Sequence, residues 1–239
     1  MDLFKMLSSI FDSNRYRRNP VPQNLTREQL AALSVGAINA EQTGAYWDSL
    51  PTGRDPKALG RDLADNYGID DRTSALETLD WLYGRGHRVF FEAVKGLASG
   101  TESQPCADGL EEEELPRLSE CLSHLQEAAG DLMEEGFLTR RRDLCRHSIA
   151  AWDMGRLVLV ARCCFDAGYL SEEEAWRYIT AAQAACKKHY STWRELACGY
   201  LIGRAMWSGA GTSLDGLMAI ADGLLEDNGS PWLAVPFLS

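Results

Sequence analysis

Residues 152–168 read WDMGRLVLVARCCFDAG. From Leu157 to Phe165 every side chain is apolar or a thiol except Arg162. A helix that is hydrophobic on every side belongs in an interior. Gly168 closes the run, as a glycine commonly does just past a helix end. The sequence therefore places the core of the protein here, on a helix expected from about Arg142 to Ala167.

Helical punctuation continues on both sides. Ser171 followed by Glu172, Glu173 and Glu174 is an N-cap with an acidic first turn. Behind it, Ala175, Trp176, Ile179, Ala182 and Cys186 recur at helical spacing. Thr192 with Glu195 caps the next helix, whose inward positions are Trp193, Leu196, Ala197, Tyr200, Arg204 and Trp207. A last helix spans Ser213 to Glu226, and Asn228-Gly229-Ser230-Pro231 turns the chain into an extended tail from Trp232 to Leu238.

Upstream, Thr26 and Gln29 form a capping box for a helix ending at Gly44. Asp55-Pro56 starts another, ended by Gly68. A third runs from Asp71 to Gly84, before a short buried segment of Val89, Phe90, Phe91 and Val94. Between Asp108 and Glu135 lie ten acidic residues and one arginine. Leucines at helical spacing there predict a surface helix pair with an acidic outer face. Arg140, Arg141, Arg142 and Arg146 follow directly, so local pairing is expected.

No alternating strand pattern appears. The expectation is an all-α fold: a single globular multi-helix domain over 25–239, preceded by a leader or tether over 1–24. Within that leader, Met1 to Phe11 reads as a short amphipathic helix. The basic run Arg15 to Arg18 follows it.

Bulk composition narrows the function classes. The 239 residues are 45% hydrophobic and 25% charged, an ordinary globular balance. The net charge of −11 disfavours nucleic-acid binding, where phosphate neutralisation by basic residues supplies most of the affinity. It suits a basic protein partner. The seven cysteines include no CxxC pair, so reduced thiols of a cytoplasmic protein are expected, with no metal and no cofactor. No run approaches the roughly 20 apolar residues of a membrane span.

Polar residues on inward faces are the candidates for function. Arg204 shares a face with Trp193, Ala197, Tyr200 and Trp207. A buried guanidinium is costly without a carboxylate, and Asp153 is the expected partner of Arg156, Arg204 or both. His87 and Arg88 sit in the compact, glycine-flanked sequence Gly84-Arg85-Gly86-His87-Arg88. The candidate polar core cluster is thus His87, Arg88, Asp153, Arg156 and Arg204, with Trp152, Trp176, Trp193, Tyr200 and Trp207 as aromatic support. Such a cluster either fixes helix register as a structural ion pair or lines a pocket for an anionic group.

Several blocks resemble one known family. They are Leu79-x-x-Leu82 leading to Gly86-His87-Arg88, then Trp152-Asp153-x-Gly155-Arg156, then Gly168-Tyr169-Leu170-Ser171-Glu172-x-Glu174-Ala175-Trp176. Trp193, Gly199-Tyr200-Leu201-x-Gly203-Arg204, Trp207 and Ser230-Pro231-Trp232 complete the pattern. Motif blocks therefore lie at 76–94, 152–176 and 193–232. Together they are similar to the bacterial domain-of-unknown-function family 1266 over roughly residues 55 to 235. The resemblance implies a cytosolic bacterial helical domain and carries no activity with it.

Three functional expectations follow. The leading one is a non-catalytic protein-binding module, such as an immunity or adaptor protein for an antagonistic toxin, motivated by the acidic stretch. The second is an enzyme or small-molecule binder with an Asp/Arg/His pocket for a phosphate or carboxylate. The third is a scaffold docked through residues 1–20.

Overall fold

The structure is a computed structural model that describes residues 15–237. The amphipathic helix expected over residues 1–11 lies outside the described residues.

The centre is α7 (Ala150–Asp166), buried on nearly every side. Around it pack α2 (Ala37–Thr43), α3 (Pro56–Tyr67), α4 (Arg72–Gly84), α8 (Glu172–Cys186) and α9 (Trp193–Ser208). Another layer is formed by α5 (Arg88–Ser99) and α6 (Leu115–Glu134), with α6 also meeting α9. The bundle is completed by α1 (Arg27–Ser34) against α8, α10 (Thr212–Glu226) against α2 and α9, and the short α11 (Pro231–Ala234). Among the described residues there is no strand, and no helix is long and apolar enough to cross a membrane.

The expected caps form. Thr26 and Gln29, and Ser171 and Glu174, make reciprocal capping boxes, while Asp55 and Thr192 cap α3 and α9. Close packing explains two glycines of α9. A Cβ on Gly203 would lie 2.6 Å from the Trp152 Cβ, and one on Gly199 would collide with the Tyr190 hydroxyl. Gly203 thus lets α9 approach α7, while Gly199 makes room for Tyr190 and the Ser148 carbonyl before α7.

Four element boundaries differ from the sequence reading. The helix expected from Thr26 to Gly44 is two, because the chain turns tightly at Gly36 to pass α7. A Cβ there would lie 2.8 Å from Val158 Cγ1. The surface helix pair expected over 108–135 is one 20-residue helix behind a single 3-10 turn at Glu112–Glu114. Its buried stripe of Leu118, Cys121, Leu125 and Leu132 runs unbroken. The helix expected from Arg142 begins only at Ala150, after a 3-10 turn at Arg141–Arg146. At that break the Tyr190 hydroxyl donates to Ser148 O at 2.7 Å and accepts from Ala151 N at 3.0 Å. The expected extended tail contains α11, whose Trp232 is buried, stacks on Trp193 and donates to Ser34 O at 2.8 Å.

The basic run is fastened to the domain. Arg15 Nη1 and the Tyr16 hydroxyl both donate to Asp227, at 2.7 and 2.9 Å. Arg17 O accepts from Trp47 N at 3.0 Å, and Arg18 lies over the Trp47 ring.

Arg162, the polar exception in the apolar run, is 1% exposed. Among the described residues it forms no ion pair with a carboxylate, although Asp166 and Asp48 lie near enough to favour its charge. Its guanidinium donates to the carbonyls of Tyr46, Ser49, Leu50 and Pro51, between 2.5 and 3.2 Å. Nearby, Asp166 accepts from Thr52 N and Oγ1 at 2.8 and 2.5 Å. A loop with no regular structure is thereby pinned to the central helix. Desolvation lowers the Arg162 pKa to about 10, so the guanidinium stays charged at neutral pH.

Candidate functional site

The site begins with a turn. After α4, Gly86 adopts φ +59°, a left-handed conformation that favours glycine. A Cβ at Gly86 would also sit inside the Asp153 carboxylate. The turn thus brings the start of α5 directly onto α7.

Asp153 is fully buried and fully engaged. It accepts from the backbone amides of His87 and Arg88 at 3.0 and 3.2 Å. It also accepts from Arg88 Nη1 at 3.1 Å and Arg156 Nη2 at 2.6 Å. A carboxylate at a helix N-terminus satisfies unpaired amides and complements the helix dipole. Here the cap comes from another helix. Arg88 meanwhile donates to Leu82 O and Tyr83 O, the last carbonyls of α4. One ion pair therefore joins the end of α4, the start of α5 and the first turn of α7.

Arg156 extends this clasp outward. Its Nη2 reaches His87 Nδ1 at 2.7 Å, and its guanidinium stacks over Trp152 at 3.7 Å. A guanidinium only donates, so Nδ1 is the acceptor and the neutral His87 ring carries its proton on Nε2. Burial, seconded by the charges of Arg156 and Arg117, holds the His87 pKa below its ordinary value, against the opposing pull of Asp153. Trp81, Trp152 and Trp207 surround the imidazole, with ring centroids 4.8, 4.8 and 4.2 Å away. Trp207 is held from its other side by Arg117, whose guanidinium lies 4.2 Å from the ring centre.

Arg204 departs from expectation. It does not pair with Asp153. It is half-buried, and it donates through Nη2 to Ser213 Oγ at 2.9 Å. Among the described residues it has no carboxylate partner. The reason is geometric: Gly203 rather than Arg204 faces Trp152 on α7, so Arg204 lies at the margin of the contact. Of the five aromatic residues expected to support the cluster, Trp152, Tyr200 and Trp207 line clefts beside it. Trp176 is half-buried elsewhere on the core, and Trp193 stacks on Trp232.

Two clefts adjoin the clasp, of about 430 and 550 Å³. They share Asn66, Tyr67, Arg156 and Trp207. Arg204, Arg54 and Tyr200 line the larger, while Trp81, His87 and Glu77 line the smaller. Arg54 is answered by Asp62 in the same cleft. In Arg156, Nη1 has no partner among the described residues. At the floor of the larger cleft Asn39 Nδ2 donates to the Tyr200 hydroxyl at 2.9 Å. Gly155 makes room for both, since a Cβ there would meet Asn39 Oδ1 at 2.8 Å and the Tyr200 ring at 3.1 Å.

Sequence reasoning did not single out Asn66, Tyr67, Glu77, Trp81 or Asn39. Trp81 lies between Leu79 and Leu82 of a quoted block, and that was its only signal. The others sit on ordinary amphipathic helices and gain meaning only from the neighbours that the fold supplies.

No solved structure matches the chain. The "Uncharacterized protein YbeR" of Escherichia coli (strain K12) is similar at 27% identity over 163 residues. That match covers 66% of this chain and 63% of that protein's own length. The family described as "Protein of unknown function (DUF1266)" matches residues 62–237, and the chain belongs to it.

Proposed function

We propose that the larger cleft binds a small anionic molecule through a phosphate or carboxylate group. The observation that carries this reading is the pair of guanidiniums on its walls. Arg156 is preorganised by Asp153 and Trp152 yet keeps Nη1 unengaged, and Arg204 is a cation without a carboxylate partner among the described residues. Arginine donors converging on one cavity match the planar, bidentate recognition of phosphate and carboxylate. A volume near 550 Å³ is that of a small-molecule site. Asp153 is a positioning residue here. Its oxygens are taken by four donors, which leaves it no role as a base.

The test is a thermal-shift and calorimetric screen of small phosphorylated and carboxylated compounds. Wild type is compared with Arg204→Ala, which removes a half-buried side chain and leaves the core intact. Expected are compounds whose affinity falls at least tenfold in the variant, worth about 1.4 kcal/mol. If no compound distinguishes the two proteins, the reading fails.

A second reading, a protein-binding module of the immunity or adaptor kind, is favoured by one observation. The arginines that follow the acidic stretch do not neutralise it. Arg140 and Arg146 turn to Asp143, and Arg141 Nε donates to Ala98 O. Glu112, Glu113, Glu127, Glu134 and Glu135 stay exposed. Such a face would steer a basic partner. Salt-sensitive association with a cationic toxin, weakened by Glu127→Lys with Glu134→Lys, is the expected result. Association that is absent at low salt removes this reading.

A further inference from the structure

The two clefts differ in chemistry, and the difference constrains what spans them. The larger holds the unengaged donors of Arg156 and Arg204. The smaller has aromatic walls: Trp207 and Trp81 flank His87 within 4.8 Å. Besides Arg156, which both clefts share, the smaller is lined by no lysine or arginine. It does have the exposed Glu77 carboxylate, which makes no hydrogen bond among the described residues. A second anionic group there would meet Glu77 with the wrong sign. A planar ring fits beside Trp81, whose ring contact among the described residues is the edge-on His87, since stacking on an aromatic side chain accepts any π-face. A carboxylate accepts and does not donate, so Glu77 favours a ring that bears an N–H donor.

We infer that the joined clefts take a nucleoside monophosphate with an amino group on its base. The phosphate lies on Arg156 and Arg204, the base lies in the arm of Trp81 and Trp207, and the exocyclic amine points toward Glu77. This deepens the anion-binding reading and rests on it.

The full chain is titrated calorimetrically with adenosine 5′-monophosphate, purine riboside 5′-monophosphate, adenosine and inorganic phosphate. Adenosine monophosphate binds best, with adenosine and inorganic phosphate each at least about tenfold weaker, the scale of one stacked base or one lost arginine contact. Purine riboside monophosphate, whose base has neither the amine nor a ring N–H, is also weaker. Arg204→Ala weakens adenosine monophosphate at least about tenfold, with Arg156 still holding the phosphate, and leaves adenosine itself unchanged. Glu77→Gln, an exposed substitution, narrows the preference for adenosine over purine riboside monophosphate.

Inorganic phosphate binding as tightly as adenosine monophosphate overturns the two-armed ligand while the anion site stands. Equal binding of the two nucleotides to wild type overturns the role of Glu77 and with it the amino-bearing class. Failure of all four probes, together with a screen in which no anion distinguishes Arg204→Ala, overturns both readings.

Discussion

The Asp153 carboxylate occupies the space where a side chain on Gly86 would begin. The two residues are 67 positions apart in sequence, on different elements, and each is shaped by the other. Replacing Gly86 by alanine forces a strained left-handed backbone and a collision with a buried charge at once. We expect Gly86→Ala to cost about 3 kcal/mol, the sum of a modest backbone penalty and local displacement of the ion pair. Urea unfolding monitored by circular dichroism measures it; a cost below about 1 kcal/mol would contradict the tight approach.

Asp153 and Arg204 separate structure from function. Asp153→Asn weakens a buried pair that also caps α5, and it leaves Arg88 and Arg156 short of a counter-charge. The expected loss is about 3 kcal/mol. Arg204→Ala gives up one hydrogen bond near the surface, to Ser213, and should change stability by less than about 0.5 kcal/mol. Parallel unfolding curves check the contrast. Equal destabilisation by both would make Arg204 structural.

The neutral state of His87 gives a pH dependence with a definite sign. Its pKa is lowered in the folded protein relative to the ordinary 6.5. The unfolded chain therefore binds more protons as the solution is acidified, so stability is full above about pH 6.5 and falls as pH drops toward the folded value. A proton on Nδ1 would also displace the donor from Arg156 and face Arg117 as a like charge, with Asp153 alone favouring it. His87→Asn keeps an acceptor for Arg156 without titrating, so it should flatten the fall in stability between pH 7 and 5. His147 and His189 are lowered by burial as well and contribute to the slope that remains. An unchanged slope in the variant would count against a neutral His87.

Arg162 is expected to be irreplaceable by an apolar residue of similar length. Arg162→Met would leave the carbonyls of Tyr46, Ser49 and Leu50 without their donor, while Pro51 O keeps the Ser49 hydroxyl. The expected cost is about 3 kcal/mol, because unpaired buried acceptors retain their desolvation penalty. Hydrogen exchange should report the change locally, with Tyr46 N, bonded to Thr52 O across the loop, losing protection first.

Helices and caps were legible because their signals are local. Ser171 meets Glu174, and Thr26 meets Gln29, within one turn of chain. The break at Gly36 was not legible, because the cause is Val158, 122 residues away. The site divides in the same manner. Asp153 with Arg156 is an i, i+3 pair that spacing alone brings together. Arg88 as a further partner of Asp153 depends on how the α4–α5 turn lands on α7. Arg204 was misplaced because a helical face is wide: sharing a stripe with Tyr200 and Trp207 puts a residue near the core without deciding which of two neighbouring positions faces it. Gly203 took the inward one. The clefts could not be read from sequence at all, since they are spaces between helices that each look ordinary alone.

The two ends of the described chain are one another's neighbours. Arg15 and Tyr16 hold Asp227, and Trp232 reaches back to Ser34. Arg15, Tyr16 and Trp232 are thereby held against the fraying common near chain ends. A protease trimming from one side must first undo what the other side holds, so nicking should yield either the intact body or its wholesale degradation, with little of a shortened core between them.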